Sequence, residues 1–316
     1  MSMPEPEPVV MIHGIAMRRA EKVAGYAEAM QRRLGEGYRL IPVYWGDLGA
    51  DDTYLHKVIA RYEQRSTNFG TMVRDAIARP MRRGATKARA WVESQRGDLR
   101  RSSILREQSR RQSTNTRANV HGYLGDKFQE ARLWLTQQSL PFIADVIVYQ
   151  SHTYRRKIHE RVRAVIDQEL GEDAGRAGQP IKVVAHSLGG VVSFDMAVRP
   201  DDPLHIEAFV TLGSQPAFFH LLDPREGLAP FEGEEPVTLP TTIGRWTNVW
   251  DEYDLLAFGT GEVFRLHDGK SPIDTAVRCT RSRIKGAAFM KSHLGYFEND
   301  RAAQATRAAL EGTIAP

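Results

Sequence analysis

The sequence predicts an α/β fold: a doubly wound, mostly parallel sheet with a large helical insertion after the second predicted strand. Two observations support this prediction. Short apolar runs bounded by Gly or Pro, typical of strands buried on both faces, alternate with segments whose apolar residues recur at helical spacing. Roughly a hundred residues then separate the second apolar run from the next helical pattern, far more than a strand-to-helix connection needs.

The first predicted unit is strand, helix, strand. Residues 8–15, PVVMIHGI, and residues 38–45, YRLIPVYW, predict the two strands. The helix between them is indicated by apolar residues at helical spacing, namely Val23, Tyr26, Ala27, Met30 and Leu34, and Gly35 and Gly37 can end it. Such a unit is a right-handed crossover in a parallel sheet.

The second half of the chain repeats this alternation. A helix with Ile158, Val162, Val165, Ile166 and Leu170 on one face ends at Gly171. The elements predicted after it are strands at 181–187, 206–214 and 245–250, a helix at 188–198, a last strand or hairpin at 263–266 and 275–279, and a closing helix at 301–310.

The insertion predicts a division of the chain into a core, residues 1–47 and 146–316, and a mostly helical basic segment, residues 48–145. Apolar residues at helical spacing indicate its helices: Leu55, Val58, Ile59 and Tyr62; Met72, Val73 and Ile77; Phe128 and Leu135. Residues 71–117 hold thirteen Arg or Lys and four Asp or Glu, a net +9 in a chain whose total is +4. Within it, residues 94–117 are polar enough to be partly disordered.

Composition excludes several classes of protein. The single cysteine, Cys279, excludes an internal disulfide and argues against a thiolate zinc cluster. Its context, TAVRCTRS, predicts a strand in which Cys279 packs in the core or at the edge. No run approaches the roughly 18 apolar residues of a membrane span, and the first residues lack a basic and an apolar signal region. We therefore expect a cytoplasmic protein that uses no metal and no cofactor.

A serine lies between small residues where a buried run meets a helical pattern. In IKVVAHSLGG, residues 181–190, the segment Ala185–Gly189 matches the G-x-S-x-G nucleophile elbow with Ala in the first place. The elbow needs a sharp strand-to-helix turn that only small neighbours allow. The predicted strand before Ser187 and the helix after it are the context that this motif requires.

Several motifs in register resemble the α/β-hydrolase superfamily, in particular its lipase-like and esterase-like members. They are IHGI (12–15), AHSLGG (185–190), TLGSQP (211–216), WDEYDLLA (250–257) and KSHLGYF (291–297). The resemblance covers nearly the whole chain except the insertion, although the extended glycine run of the oxyanion motif is missing after Gly14. It implies a serine, acid, histidine order along the chain.

The resemblance implies Ser187 as nucleophile, activated by an imidazole that a carboxylate orients. His293 is favoured over His267 as the base, since it is expected in a loop between a strand and the closing helix, beside small residues. Asp251 and Asp254 both follow a predicted strand, and the family pattern favours Asp254, with Glu252 third. The other early histidines, His13 and His186 among them, are expected to flank the nucleophile or precede it.

The predicted oxyanion donors are main-chain N–H groups of Leu188, after the nucleophile, and of Ile15, after Gly14. Gly14 is expected to let the backbone approach. Because the donors are backbone groups, substitution of Ile15 or Leu188 need not abolish activity.

The resulting hypothesis is a serine hydrolase that cleaves carboxylic esters, with lipid-like acyl substrates, through an acyl-enzyme. A thioesterase or an acyltransferase with the same triad, and a catalytically silent binding protein that uses the basic insertion, stay open as alternatives. The arginines of residues 71–117 suggest peripheral contact with anionic membranes, or else a solvated basic face. Sparse aromatic residues and the lack of a recognition module argue against nucleic acid.

Overall fold

A six-stranded parallel sheet forms the centre of the computed structural model, which describes residues 5–50, 143–279 and 288–313. The strands of the described residues are β1 (Glu7–Ile12), β2 (Tyr38–Val43), β3 (Ile181–His186), β4 (Ile206–Leu212), β5 (Val237–Thr238), β6 (Ile243–Asp251), β7 (Phe264–Arg265) and β8 (Ile273–Val277). β5 and β7 form a separate pair, and the other strands form the sheet. The sheet order is β2-β1-β3-β4-β6-β8, with every neighbouring pair parallel. The predicted α/β class is therefore confirmed.

Helices pack on both faces of this sheet. They are α1 (Ala20–Leu34), α2 (residues 143–150), α3 (His152–Leu170), α4 (Leu188–Val198), α5 (Pro216–Leu222), α6 (Ala288–Leu294) and α7 (Asp300–Glu311), with short 3-10 turns at Gly46–Leu48 and Gly295–Glu298. In β1, Val10 and Ile12 join the core formed with α3 and α4, whereas Val9 and Met11 join the core formed with α1 and α7. Because neighbouring strand residues face opposite sides, burial of both faces explains the unbroken apolar runs.

The strand ends differ from the prediction by a few residues. β1 stops at Ile12 and β2 at Val43, so that His13, Gly14 and Ile15 belong to the loop after β1. Pro42 lies within β2 because this strand is at the edge of the sheet, where a missing N–H leaves no ladder bond unmade.

The end of the chain resolves the alternative between a last strand and a hairpin. Residues 273–277 form β8, which pairs parallel to β6, and residues 264–265 form β7, which pairs with β5 in a separate two-stranded sheet. The Asp274 carboxylate accepts hydrogen bonds from Asn248 Nδ2 at 2.6 Å and from Thr260 N at 3.0 Å, which ties β8 to β6 and to the loop before β7. The short helices α5 and α6 have no counterpart among the predicted elements.

Residues 51–142 of the predicted helical insertion lie outside the described residues, and with them its apolar stripes and residues 94–117. The division into a core and an insertion stays a prediction. The described ranges belong to one compact unit. None of their helices is long and apolar enough to span a membrane.

Two adjacent glycines let α4 start directly against neighbouring backbone. A Cβ atom on Gly189 would lie 2.3 Å from the Ile12 carbonyl oxygen and 2.6 Å from that of His13. A Cβ atom on Gly190 would lie 2.1 Å from Ser214 Oγ. The Gly-Gly pair after the serine is thus required by the contact of α4 with the ends of β1 and β4.

We predict opposite effects of alanine at two helical glycines. Gly189→Ala should destabilise the fold by about 1–3 kcal/mol, since the new methyl group meets rigid backbone. Gly25→Ala, in α1 where nothing lies within 4 Å of the added Cβ, should be neutral or stabilise by up to about 1 kcal/mol. The free energy of unfolding in urea measures both, and equal values for the two variants would contradict the packing argument.

Candidate active site

Ser187 lies at the turn between β3 and α4 in a strained backbone conformation. Its φ is 54° and its ψ −130°, a region that non-glycine residues adopt at about 1–3 kcal/mol. Ser187 N donates to the Leu212 carbonyl at 3.0 Å, and Ser214 Oγ donates to the Ser187 carbonyl at 2.6 Å. Both bonds come from β4 and the residues after it, so the neighbouring strand holds the turn in place.

The site is at the point where the strand order reverses. β1 neighbours β2 on one side and β3 on the other, so the chain leaves β1 and β3 in opposite directions. In open α/β sheets, ligands bind in the crevice that such a reversal leaves beyond the carboxyl ends of the strands. The loop after β1 and the turn at Ser187 border this crevice.

The three predicted triad side chains are brought together by the fold. His293 Nε2 is 2.9 Å from Ser187 Oγ, and His293 Nδ1 is 2.9 Å and 3.0 Å from the two carboxylate oxygens of Asp254. All three side chains are buried, at 0–3% exposure. Because a carboxylate only accepts, Nδ1 carries the proton and Nε2 is left to accept from the serine hydroxyl. This chain of bonds can move a proton from the hydroxyl to the imidazole.

Asp254, not Asp251, is in contact with the imidazole. Asp254 also accepts hydrogen bonds from Leu256 N at 3.0 Å and from the Tyr296 hydroxyl at 2.9 Å. Asp251 is used elsewhere: it accepts from Tyr253 N at 2.8 Å and from Cys279 N at 2.5 Å. The structure therefore gives Asp251 a loop-capping position and Asp254 the position that orients His293.

His293 lies on a helix, which corrects the expected loop position. It is the sixth residue of the seven-residue α6, just before the 3-10 turn that contains Tyr296. The competing base, His267, is exposed and follows β7, outside the Ser187 group of contacts.

Tyr296 was not predicted as a site residue, and it braces the carboxylate. Burial, followed by the charge of Asp254, raises the pKa of Tyr296, so its hydroxyl keeps its proton and donates to Asp254. Gly213, with φ +54°, leaves room for this pair, because a Cβ there would lie 2.6 Å from both Asp254 Oδ2 and Tyr296 Cε2. The TLGS segment of the sequence thus contributes space through Gly213 and a hydrogen bond to the Ser187 carbonyl through Ser214.

The predicted oxyanion residues border the serine. A Cβ on Gly14 would lie 2.5 Å from Ser187 Cβ and 3.1 Å from Ser187 Oγ, so only glycine permits this approach. Leu188 is the first residue of α4, where backbone N–H groups have no intrahelical acceptor. Within the described residues, no hydrogen bond engages Ile15 N. Both backbone donors therefore remain available beside the hydroxyl.

Asp145, which the sequence gave no reason to select, fixes the loop after Gly14. Its carboxylate accepts from Ala16 N at 2.7 Å and Ala50 N at 2.7 Å, and it forms two 2.8 Å bonds with the Arg18 guanidinium. Ala16 has a positive φ of 56°, and the bond to its N–H supports this conformation. The loop that carries Ile15 is thus held by a buried carboxylate on α2.

His186, expected only to flank the nucleophile, holds the base in position. Its ring is buried with its centroid 4.7 Å from that of His293, and its Nε2–H donates to the His293 carbonyl oxygen at 2.6 Å. Burial, followed by the charge of His293, puts the pKa of His186 well below its ordinary value, so the ring stays neutral. The residue before the nucleophile is therefore bonded to the backbone of the base.

His13 is also buried as a neutral ring. Its Nδ1–H donates to the Gly14 carbonyl, and its Nε2 accepts from Trp45 N at 3.1 Å, which only the uncharged form can do. Burial lowers the pKa of His13 from 6.5 to about 4. The stacked ring of Trp45, 4.9 Å away and nearly parallel, completes its surroundings.

Side chains that could bind a metal do not gather within the described ranges: no group of three or more His, Cys, Asp or Glu lies close enough together. Cys279 is half-buried, and burial together with the Asp251 charge raises the pKa of its thiol. The thiol therefore stays protonated near neutral pH, a poor state for a nucleophile.

The lowered pKa of His13 predicts how the free energy of unfolding depends on pH. The unfolded chain binds a proton to this imidazole below about pH 6.5, whereas the folded state does so only near pH 4, so the free energy of unfolding falls as the pH falls between these values. The contribution is about 1.4 kcal/mol per pH unit. In His13→Gln the slope between about pH 6 and pH 5 should be shallower by this amount. The exposed His152, replaced by Gln, is the control; a wild-type slope in His13→Gln would contradict the prediction.

Neither a protein-family model nor a curated protein matches this chain. The resemblance suggested by the sequence motifs accordingly stays a prediction. What the structure adds is an α/β fold and the measured arrangement of Ser187, His293 and Asp254.

Proposed function

We propose that this protein is a serine hydrolase of the α/β-hydrolase type that cleaves carboxylic esters through an acyl-enzyme. The observation that carries the proposal is the continuous chain of hydrogen bonds from Ser187 Oγ through His293 to Asp254, at 2.9–3.0 Å. The strained turn at Ser187 and the glycine contact beside it support the same interpretation, since both place the buried hydroxyl at the carboxyl ends of the strands.

In this scheme Ser187 Oγ forms a bond to the ester carbonyl carbon while its proton passes to His293 Nε2. The carbonyl oxygen becomes an anion that accepts from Ile15 N and Leu188 N. The intermediate then breaks the bond to the leaving oxygen, which takes the proton from His293 and departs as the alcohol. Water repeats the same steps on the acyl-enzyme and releases the carboxylic acid.

The roles of the remaining groups follow from their bonds. Asp254 stabilises the imidazolium that forms in each step, and the Tyr296 hydroxyl donates a hydrogen bond that stabilises the Asp254 carboxylate. His186 keeps the base at its distance from the hydroxyl through the His293 carbonyl. In a buried site these dipoles act at low dielectric, which strengthens their effect on developing charge.

Apolar side chains near the site favour an acyl substrate with lipid-like chains. Phe218, Leu221 and Leu222 on α5 and Leu255 after the acid are exposed, from 38% to 72%. The two segments are bonded to each other: Gln215 Nε2 donates to the Leu256 carbonyl, and Phe258 N donates to the Ser214 carbonyl at 3.1 Å. Ser214 in turn donates to the Ser187 carbonyl. Contact with an anionic membrane through residues 71–117 remains part of the proposal, although those residues lie outside the described ranges.

A fluorophosphonate probe tests the reaction class without knowledge of the substrate. The wild-type protein should react at one serine, and Ser187→Ala should not react. Ser193→Ala is the matched control, because this buried serine of α4 only donates to the Gly189 carbonyl at 2.8 Å. A folded wild-type protein that does not react would overturn the proposal and favour a catalytically silent binding protein.

Replacement of the two aspartates separates the acid from the loop cap. Asp254→Asn should lower kcat on a short activated ester, and the rate of probe labelling, by about three to four orders of magnitude, since it disturbs the tautomer of His293. Asp251→Asn should reduce the midpoint of thermal unfolding and change kcat by less than about tenfold, because it only removes bonds to Tyr253 N and Cys279 N. The reverse pattern would make Asp251 the acid.

A further inference from the structure

A small polar cavity lies between α3, the end of α4 and the loop after α5. Its volume is about 190 Å³, and the side chains that line it include Arg155, His159, Asp195, Arg199, Arg225 and Glu226. Asp195 is eight residues after Ser187 along α4, roughly 12 Å along the helix axis. The cavity is therefore separate from the proposed active site.

The buried acidic side chain of this cavity is already neutralised. Asp195 Oδ2 accepts from the Tyr149 hydroxyl at 2.9 Å, and Asp195 Oδ1 is 3.0 Å from Arg225 Nε. Because the Tyr149 hydroxyl donates its hydrogen bond to Asp195, its oxygen accepts one from His159 Nε2–H at 3.1 Å. Asp195 thus pairs with one arginine. The other nearby acids, Glu226 and Asp223, which lies 3.4 Å from Arg225 Nη1, are exposed, so solvent screens their charge.

Guanidinium groups on two sides of the cavity keep N–H donors to spare. Arg225 is only 4% exposed, and its Nη2 is buried without a hydrogen-bond partner among the described residues. Arg155 Nε, from α3, is likewise buried and has no partner in the part of the chain that the structure describes. Buried donors nearly always have a partner, so two such groups lining one cavity indicate an acceptor that binds there.

The charge around the cavity is positive. Burial, followed by the charges of Arg199 and Arg155, lowers the pKa of His159 to about 3. This ring is therefore neutral and adds no charge to the cavity. Arg199 lies on the wall formed by the end of α4, and Arg155 on the wall formed by α3. The Arg199 guanidinium already donates to Asp202, so an anion in the cavity would meet spare N–H donors from two segments, α3 and the loop after α5.

We propose that this cavity binds the phosphate group of a small phosphorylated ligand. Guanidinium groups match phosphate oxygens in charge and hydrogen-bond geometry. A tetrahedral phosphate presents oxygens in several directions, as donors on α3 and on the loop after α5 require, whereas a planar carboxylate satisfies donors in one plane. The volume is below that of pockets for drug-sized ligands, so the cavity holds the phosphate and few further atoms.

Calorimetric titration of the full chain with inorganic phosphate, at ionic strength matched with chloride, tests the site. Arg155→Gln should raise the Kd for phosphate at least about tenfold, whereas Arg39→Gln, which breaks an exposed pair with Glu169 far along the chain, should leave it unchanged. Arg155 is chosen over Arg225 because the half-exposed Arg155 pairs with no carboxylate of the described residues, while Arg225 pairs with buried Asp195.

The basic residues 71–117 make the dependence on Arg155 the decisive measurement. Phosphate binding that is equally strong in Arg155→Gln belongs elsewhere and overturns the proposal, as does equal binding of acetate and phosphate. Glycerol phosphate and vesicles that contain phosphatidic acid distinguish a soluble phosphate ester from a lipid headgroup. Binding of glycerol phosphate or of the vesicles that depends on Arg155 supports the site and identifies the kind of phosphate ligand. Since Ser187 takes no part, labelling by the fluorophosphonate probe is a separate outcome.

Discussion

The close contact between Gly14 and Ser187 sets the geometry of the carboxyl end of the sheet. Neighbouring strands are about 4.8 Å apart, so the chain after β1 meets the turn after β3 with no room for a side chain between them. Gly189 makes the reciprocal contact, with α4 against the carbonyl oxygens of Ile12 and His13. Any larger residue at either glycine would displace the turn, and with it the hydroxyl and both backbone donors.

The His293 imidazole is positioned by hydrogen bonds from other segments more than by its own helix. α6 has seven residues, too few for a helix to be stable by itself, and it follows residues outside the described ranges. Three groups hold its end: His186 bonds the His293 carbonyl, Asp254 bonds the imidazole, and Tyr296 bonds Asp254. Each belongs to an element already fixed by the sheet or by the packing of Tyr296 and Phe297 in the core. The distance between imidazole and hydroxyl therefore depends on contacts across the chain, not on local helix propensity.

The sequence was informative where a residue type had one physical reason to be present. Unbroken apolar runs predicted buried strands, and Ala185–Gly189 between a strand and a helix predicted the turn at Ser187, because only small residues close it. The choice between Asp251 and Asp254 could not be made from spacing, since Asp251 ends β6, Asp254 lies three residues later, and only the fold shows which one contacts His293. Asp145 could not be found at all: its partners are 95 to 129 residues away in sequence.

The helix α4 begins at the Ser187 turn and carries Asp195, which lines the proposed phosphate cavity, and the burial of the helix links the two places. All eleven of its residues are buried, so its polar side chains must find partners within the protein. Ser193 satisfies this need inside the helix, but Asp195 cannot, and burial raises the pKa of its carboxyl while the Arg225 charge opposes that rise. Arg225 must therefore be buried as well, and a guanidinium has more N–H groups than one carboxylate can accept. The spare donor at the cavity thus follows from burying the helix that holds Ser187 rigid.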